Sequence, residues 1–114
     1  MFISITINPK NLNSDALIQA FEFIRQLNPD EMYLTGVFFY GYSLELLQEL
    51  KQETLIDWND LLNEKFTGVQ VNYCSTIAES SNLNLMSLPS RFQPAGLGQW
   101  METLIQSKHN IEFV

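Results

Sequence analysis

"MYLTGVFFY", residues 32–40, is a nearly continuous apolar run. A strand with one wet face alternates apolar and polar residues, whereas a strand covered on both faces need not. The run therefore reads as a central strand of a parallel sheet, and Gly41 ends it. Upstream, "MFISITI" (1–7) alternates and is rich in β-branched residues, which predicts a strand at about 2–7. Between the two, Leu17, Ala20, Phe21, Ile24 and Leu27 recur at helical spacing, with Asn13 or Ser14 as the cap. Asn28-Pro29-Asp30 stops that helix. A strand, a helix and a buried strand begin a βαβ series.

The series continues downstream. Ser43 is placed to cap a short helix carrying Leu44, Leu47 and Leu50. Trp58, Leu61, Leu62 and Phe66 share one face of a helix over 57–66, and Gly68 sits at its stop. "VQVNYC" (69–74) alternates and reads as a third strand, followed by a helical turn over 75–80. "LNLMSL" (83–88) is either a fourth strand or part of a loop, and "PSRFQPAGLG" (89–98) is a turn-rich loop. Leu97, Trp100, Met101, Leu104 and Ile105 then form an i, i+3, i+4, i+7, i+8 stripe, and "NIEFV" (110–114) closes as the last strand. The fold class expected is α/β. It is a single three-layer α/β/α domain over residues 1–114, with a mostly parallel sheet of about five strands.

Composition narrows the function. The chain has 114 residues, 46% of them hydrophobic, which suits one folded domain. Its net charge of −7, from 13 acidic and 6 basic residues, argues against direct nucleic-acid binding or an anionic membrane as the main partner. "MFISITINPK" lacks the basic region of a secretory signal, and no stretch is long and apolar enough to span a bilayer. The cytoplasm is the expected compartment, where a lone thiol stays free unless it does chemistry. One cysteine, Cys74, and one histidine, His109, cannot build a zinc site alone, and no metal is expected.

Ligands of open parallel sheets sit beyond the carboxyl ends of the strands. Read from the sequence, those ends are Asn8–Lys10, Tyr40–Tyr42, Cys74–Thr76 and the loop from Arg91 to Gly98. Cys74 is thus a candidate nucleophile at the start of a helical turn, where unpaired N–H groups favour a thiolate. A helix terminus is worth about 0.3–1 kcal/mol, up to ~2 when partly buried, which lowers a thiol pKa by only about one unit. Lys10 or Arg91 would have to add more. The competing reading makes Cys74 an inert, buried strand-end residue, a common fate of cysteine. Tyr40, Gly41 and Ser75 are candidate pocket residues beside it. Gly96 and Gly98 precede a helix and could approach an anion, although Met101 stands where a dinucleotide fingerprint needs glycine. Asp57, Asp60 and Glu64 read as a solvated helical face. Trp58, Trp100 and the Phe38–Tyr42 cluster offer core or interface, and an oligomer is expected from so much aromatic surface.

Three stretches in register carry a resemblance: "VFFYG" at 37–41, "VQVNYCSTIA" at 69–78 and "FQPAGLGQWMETLIQSKHNIEFV" at 92–114. Together they resemble the DsrE/TusD sulfur-relay proteins. The resemblance implies a three-layer α/β/α domain whose cysteine, here Cys74, carries sulfur as a persulfide, beside a Gly96-Leu97-Gly98 turn. It also implies sulfur donor and acceptor proteins as partners, in a homo- or hetero-oligomer with related subunits. The pathway implied is tRNA 2-thiouridine synthesis or sulfur oxidation, with no organic cofactor. The alternative within the same architecture is a non-catalytic structural subunit with Cys74 a spectator. "AESSN" at 78–82 carries no basic residue, where members often have Arg-Gly.

Overall fold

A computed structural model describes residues 1–85 and 87–114. Strand and helix alternate along the chain in the order β1 (Phe2–Ile7), α1 (Ala16–Gln26), β2 (Tyr33–Phe39), α2 (Ser43–Glu49) and α3 (Gln52–Lys65). They continue as β3 (Gln70–Cys74), α4 (Ser75–Ser80), β4 (Phe92–Ala95), α5 (Leu97–Gln106) and β5 (His109–Phe113). The five strands form one sheet in the order β4-β3-β2-β1-β5, and every neighbouring pair is parallel. The α/β expectation from the apolar run at 32–40 therefore holds.

The strand order explains where the helices lie. From β1 to β4 the chain steps across the sheet in one direction, and right-handed crossovers then put the connecting helices on one face. The return from β4 to β5 runs the opposite way, so α5 must cross on the other face. The packing agrees. Ile3, Ile5, Ile7, Val37, Phe39 and Val71 lie in one core with buried residues of α1, α2 and α3. Within it Trp58 sits edge-on to Phe21 (5.3 Å) and Phe39 (5.7 Å). On the opposite face Phe38, Cys74 and Trp100 form a separate, small cluster under α5. Lys65 fastens the end of α3 to that of α1, its Nζ donating to the carbonyls of Ile24, Arg25 and Leu27.

One helix cannot cover a five-stranded face. A helix is about 10–12 Å across, and four inter-strand gaps span about 19 Å. The strand residues flanking α5 are accordingly polar and paired with each other. Ser4 Oγ lies 2.9 Å from Ser107 Oγ and accepts from Asn110 Nδ2 at 3.0 Å. On the other flank Asn72 Nδ2 donates to the Gln93 carbonyl at 3.2 Å. Gly36 sets the height of α5. A Cβ there would come within 3.0 Å of Thr103 Cγ2 and 3.1 Å of a Trp100 ring carbon. Thr35 is the extra residue where the β1–β2 register shifts, and its Oγ1 donates to the Ile3 carbonyl.

Four sequence expectations change. The fourth strand lies at 92–95, inside the stretch read as a loop; of "LNLMSL", Met86 lies outside the described residues and the others contain no strand. Helix α3 begins at Gln52 rather than Asp57, because only Leu50 and Lys51 adopt extended backbone between α2 and α3. Trp58, Trp100, Phe38 and Phe39 are buried, so they belong to the cores and not to a surface. Of the α5 stripe only Trp100 is fully buried, and Leu97, Met101 and Ile105 face solvent.

Candidate functional site

The alternation of β3 sends Val71 to the large core and Asn72 and Cys74 to the α5 face. Cys74 is the last residue of its strand, pairs with Ala95 of β4 and occupies the cap position of α4 without a side-chain capping bond. Cys74 is 1% exposed. Phe38 and Trp100 cover it, their rings stacked with centroids 4.9 Å apart and 16° between planes. The Tyr40 ring also stacks with Phe38, at 6.1 Å, and Ile77 and Leu104 pack against the cluster. Ser75 Oγ donates to the Ala95 carbonyl at 3.3 Å, which ties the start of α4 to β4.

Beyond the carboxyl ends of β1 and β2 lies a cleft of about 270 Å³, lined by Asn8, Pro9, Gly41, Tyr42, Glu45, Ile77 and Ser81. Gly41 shapes it. Its φ of +62° is a left-handed conformation that glycine adopts at little cost, and a Cβ would meet Asn8 Oδ1 at 2.7 Å. Tyr40 N–H donates to the Ile7 carbonyl and its own carbonyl accepts from Ser43 Oγ at 2.7 Å, so the β2 end is held firmly. Ile77 both lines this cleft and packs against the Cys74 cluster. It is the residue that links the cleft to the cluster.

The carboxyl edge thus gathers Tyr40, Gly41, Cys74, Ser75 and the Gly96–Gly98 turn, with exposed Lys10 on the loop after β1. Gly96 and Gly98 meet nothing within 4 Å of a built Cβ, so no steric crowding demands glycine at either. Arg91 is not part of the group. The expectation that it borders Cys74 rested on a loop that turns out to contain β4, and Arg91 precedes that strand at its amino end. There its guanidinium donates to the carbonyls of Thr67 (2.9 Å) and Val69 (3.2 Å) and to Asn63 Oδ1, fastening the edge strand to the α3–β3 turn. Arg91→Ala is expected to lower the urea midpoint by the equivalent of about 1–2 kcal/mol. The native alkylation rate of Cys74 should stay unchanged, because the side chain works at the far end of the sheet. Slower alkylation at full stability would instead connect Arg91 to the thiol.

Sequence reasoning did not single out Ile77 or Glu45 as lining residues. Ile77 is the one large apolar residue in "STIAES", and that isolation on a short helix was the available signal. Among the described residues no group of three or more His, Cys, Asp and Glu is arranged to hold a metal ion. Among them, too, no helix is long and apolar enough to cross a membrane.

No known family profile matches the chain, and no curated protein matches it. Solved structures do. The YchN protein from E. coli superposes with a TM-score of 0.74 at 15% identity, covering 99% of both chains. MTH1491 from Methanobacterium thermoautotrophicum, described as a protein of unknown function, gives 0.72 at 16% identity over 97% of both. BT1422 from Bacteroides thetaiotaomicron, a conserved protein of unknown function, gives 0.70 at 10% identity, covering 98% of this chain and 94% of the other. Such likeness over nearly the whole of each chain places this protein within one shared small α/β fold.

Proposed function

We propose that the protein is a sulfur carrier that holds a persulfide at Cys74. One observation supports this most: the only thiol of the chain ends β3 at the carboxyl edge of a parallel sheet, where α/β folds put their chemistry. The resemblance of 37–41, 69–78 and 92–114 to DsrE/TusD relay proteins points the same way. In the reaction, the Cys74 thiolate attacks the outer sulfur of a donor persulfide. The donor's S–S bond breaks as the new one forms, and the donor leaves as a thiol. An acceptor thiolate then attacks the outer sulfur on Cys74 and restores the thiol. Oxidation levels balance in both steps, so no oxidant is consumed. With no second cysteine in the chain, resolution must come from a partner protein. That partner belongs to a tRNA-thiolation or sulfur-oxidation relay in this reading. A basic docking surface on it would suit the acidic chain.

Burial sets a condition on this chemistry. Reactivity of a thiol follows access as well as thiolate fraction, so Cys74 must be uncovered transiently. Helix α5 is the cover to open: it lies over Cys74, and Trp100 is its one fully buried residue. The test is incubation with a small persulfide donor, read by intact mass. One added sulfur atom is expected, lost in Cys74→Ser; a gain that survives this substitution would refute the carrier role.

The near-complete burial of Cys74 favours a second reading, in which the chain is a structural subunit and the thiol a spectator. Urea separates the two. Local opening gives an alkylation rate nearly flat in dilute urea, because little surface is exposed. A spectator thiol reacts only through global unfolding, and its rate climbs with the full denaturant slope.

A further inference from the structure

We infer that the groove between α1 and the α2–α3 corner is a docking site for a basic, amphipathic helix of a partner protein. Two adjoining hollows, of about 260 and about 120 Å³, share Leu17, Ile18 and Leu50 in their walls. Their walls are pairs of residues four apart: Leu17 and Phe21 on α1, Leu46 and Leu50 at the end of α2, Thr54 and Trp58 on α3. Side chains at that spacing lie one above the other along a helix, so the groove runs lengthwise between the three. Ile18 is 66% exposed at its edge, and Phe21, Leu46 and Leu50 are half-buried. Single exposed leucines mean little, but a continuous apolar hollow bordered by polar residues marks a contact surface.

The charge around the groove identifies its occupant. Residues 14–66 hold ten acidic residues against Arg25, Lys51 and Lys65, which is the entire surplus of seven negative charges. Glu49 and Asp57 stand in the groove walls themselves. Of the three cations, Arg25 is paired with Glu22 at 2.7 Å, and Lys65 is bound to carbonyls at the end of α1. An apolar floor between carboxylates fits a segment with apolar side chains on one face and Lys or Arg on its flanks. A second copy of this chain, an anionic membrane or a nucleic acid would bring negative charge to negative charge. Three helices offer no strand edge, so an extended peptide would gain no main-chain bonds here. A helix satisfies its own backbone and needs only the groove.

The groove lies on the other face of the sheet from the thiol. Leu17 and Trp58 belong to the larger core, and Cys74 to the cluster under α5. A segment docked here therefore holds a partner in place and exchanges no sulfur with it, whether or not Cys74 carries a persulfide.

The probe is a synthetic helical peptide with two leucines four residues apart and lysines on both flanks. It is titrated into the whole chain by calorimetry. Expected is one peptide per chain, bound more weakly as salt rises. Ile18→Lys puts a cation at the groove edge and should raise the dissociation constant at least about tenfold. Its thermal midpoint should not move, since Ile18 is exposed. Glu49→Lys should weaken binding several-fold and flatten the salt dependence, whereas Glu102→Lys on α5 should change neither. A matched peptide with both leucines replaced by serine should lose at least about tenfold in affinity. No binding overturns the inference. So does a serine peptide that binds as tightly, binding that survives Ile18→Lys, or binding that Glu102→Lys weakens as much as Glu49→Lys. A free chain that dimerises and is made monomeric by Ile18→Lys assigns the groove to a second copy and overturns it too.

Discussion

Trp100→Ala should cost about 3–5 kcal/mol, the range for truncating a large buried aromatic. Trp100 is 4% exposed and is the one fully buried residue of α5. Its ring stacks on Phe38 and covers Cys74, so its loss removes most of what holds the helix to the sheet. Two readouts should move together. The urea midpoint falls, and native alkylation of Cys74 speeds up about a hundredfold or more, because each 1.4 kcal/mol off the opening cost is a factor of ten. A destabilised variant with an unchanged alkylation rate would mean that the thiol is reached from the cleft, past Ile77, and not from beneath α5.

Trp58→Ala should destabilise by a similar amount, about 3–5 kcal/mol, for a different reason. Trp58 joins three elements, meeting Phe21 of α1 and Phe39 of β2 edge-on from α3. Domains of this kind are held by only about 5–15 kcal/mol in all, so the variant should unfold at much lower urea. Because Trp58 lies on the other side of the sheet from Cys74, alkylation in dilute urea should keep its wild-type rate. Trp58→Phe, which keeps an aromatic ring, should recover part of the loss. Faster alkylation in Trp58→Ala at low urea would show that the two cores open as one unit, contrary to their separation in the fold.

Sheet class and the position of the thiol were legible in the chain, for reasons that lie in particular residues. The run from Tyr33 to Phe39 is apolar because its strand is covered on both sides, and period-2 alternation marks Val69 to Cys74. What stayed hidden depended on strand order. Nothing local in "FQPA" marks a strand, since it is four residues long with Pro94 inside, tolerable because β4 is an edge bonded on one side only. Missing β4 moved Arg91 to the wrong end of the sheet. The stripe on α5 looked like one core face. Which of its residues point inward follows from β5 pairing beside β1, a contact between the two extremes of the sequence. The cover on Cys74 was invisible for the same reason: Phe38, Cys74 and Trp100 are far apart along the chain.

That pairing of β5 with β1 also has a consequence for how the chain leaves the ribosome. Synthesis runs from the amino towards the carboxyl end, so β1 to β4 and the helices of the larger core emerge before α5 and β5 exist. Until residues 97–114 follow, β1 has an open edge of unpaired N–H and carbonyl groups, and Phe38 and Cys74 face solvent without their lid. Open strand edges beside exposed aromatic surface are what drive chains to pair with one another. The nascent chain is thus most vulnerable just before its last two elements appear. A truncation that removes them should leave a compact but association-prone body, in which the thiol meets oxidants that the finished fold keeps out.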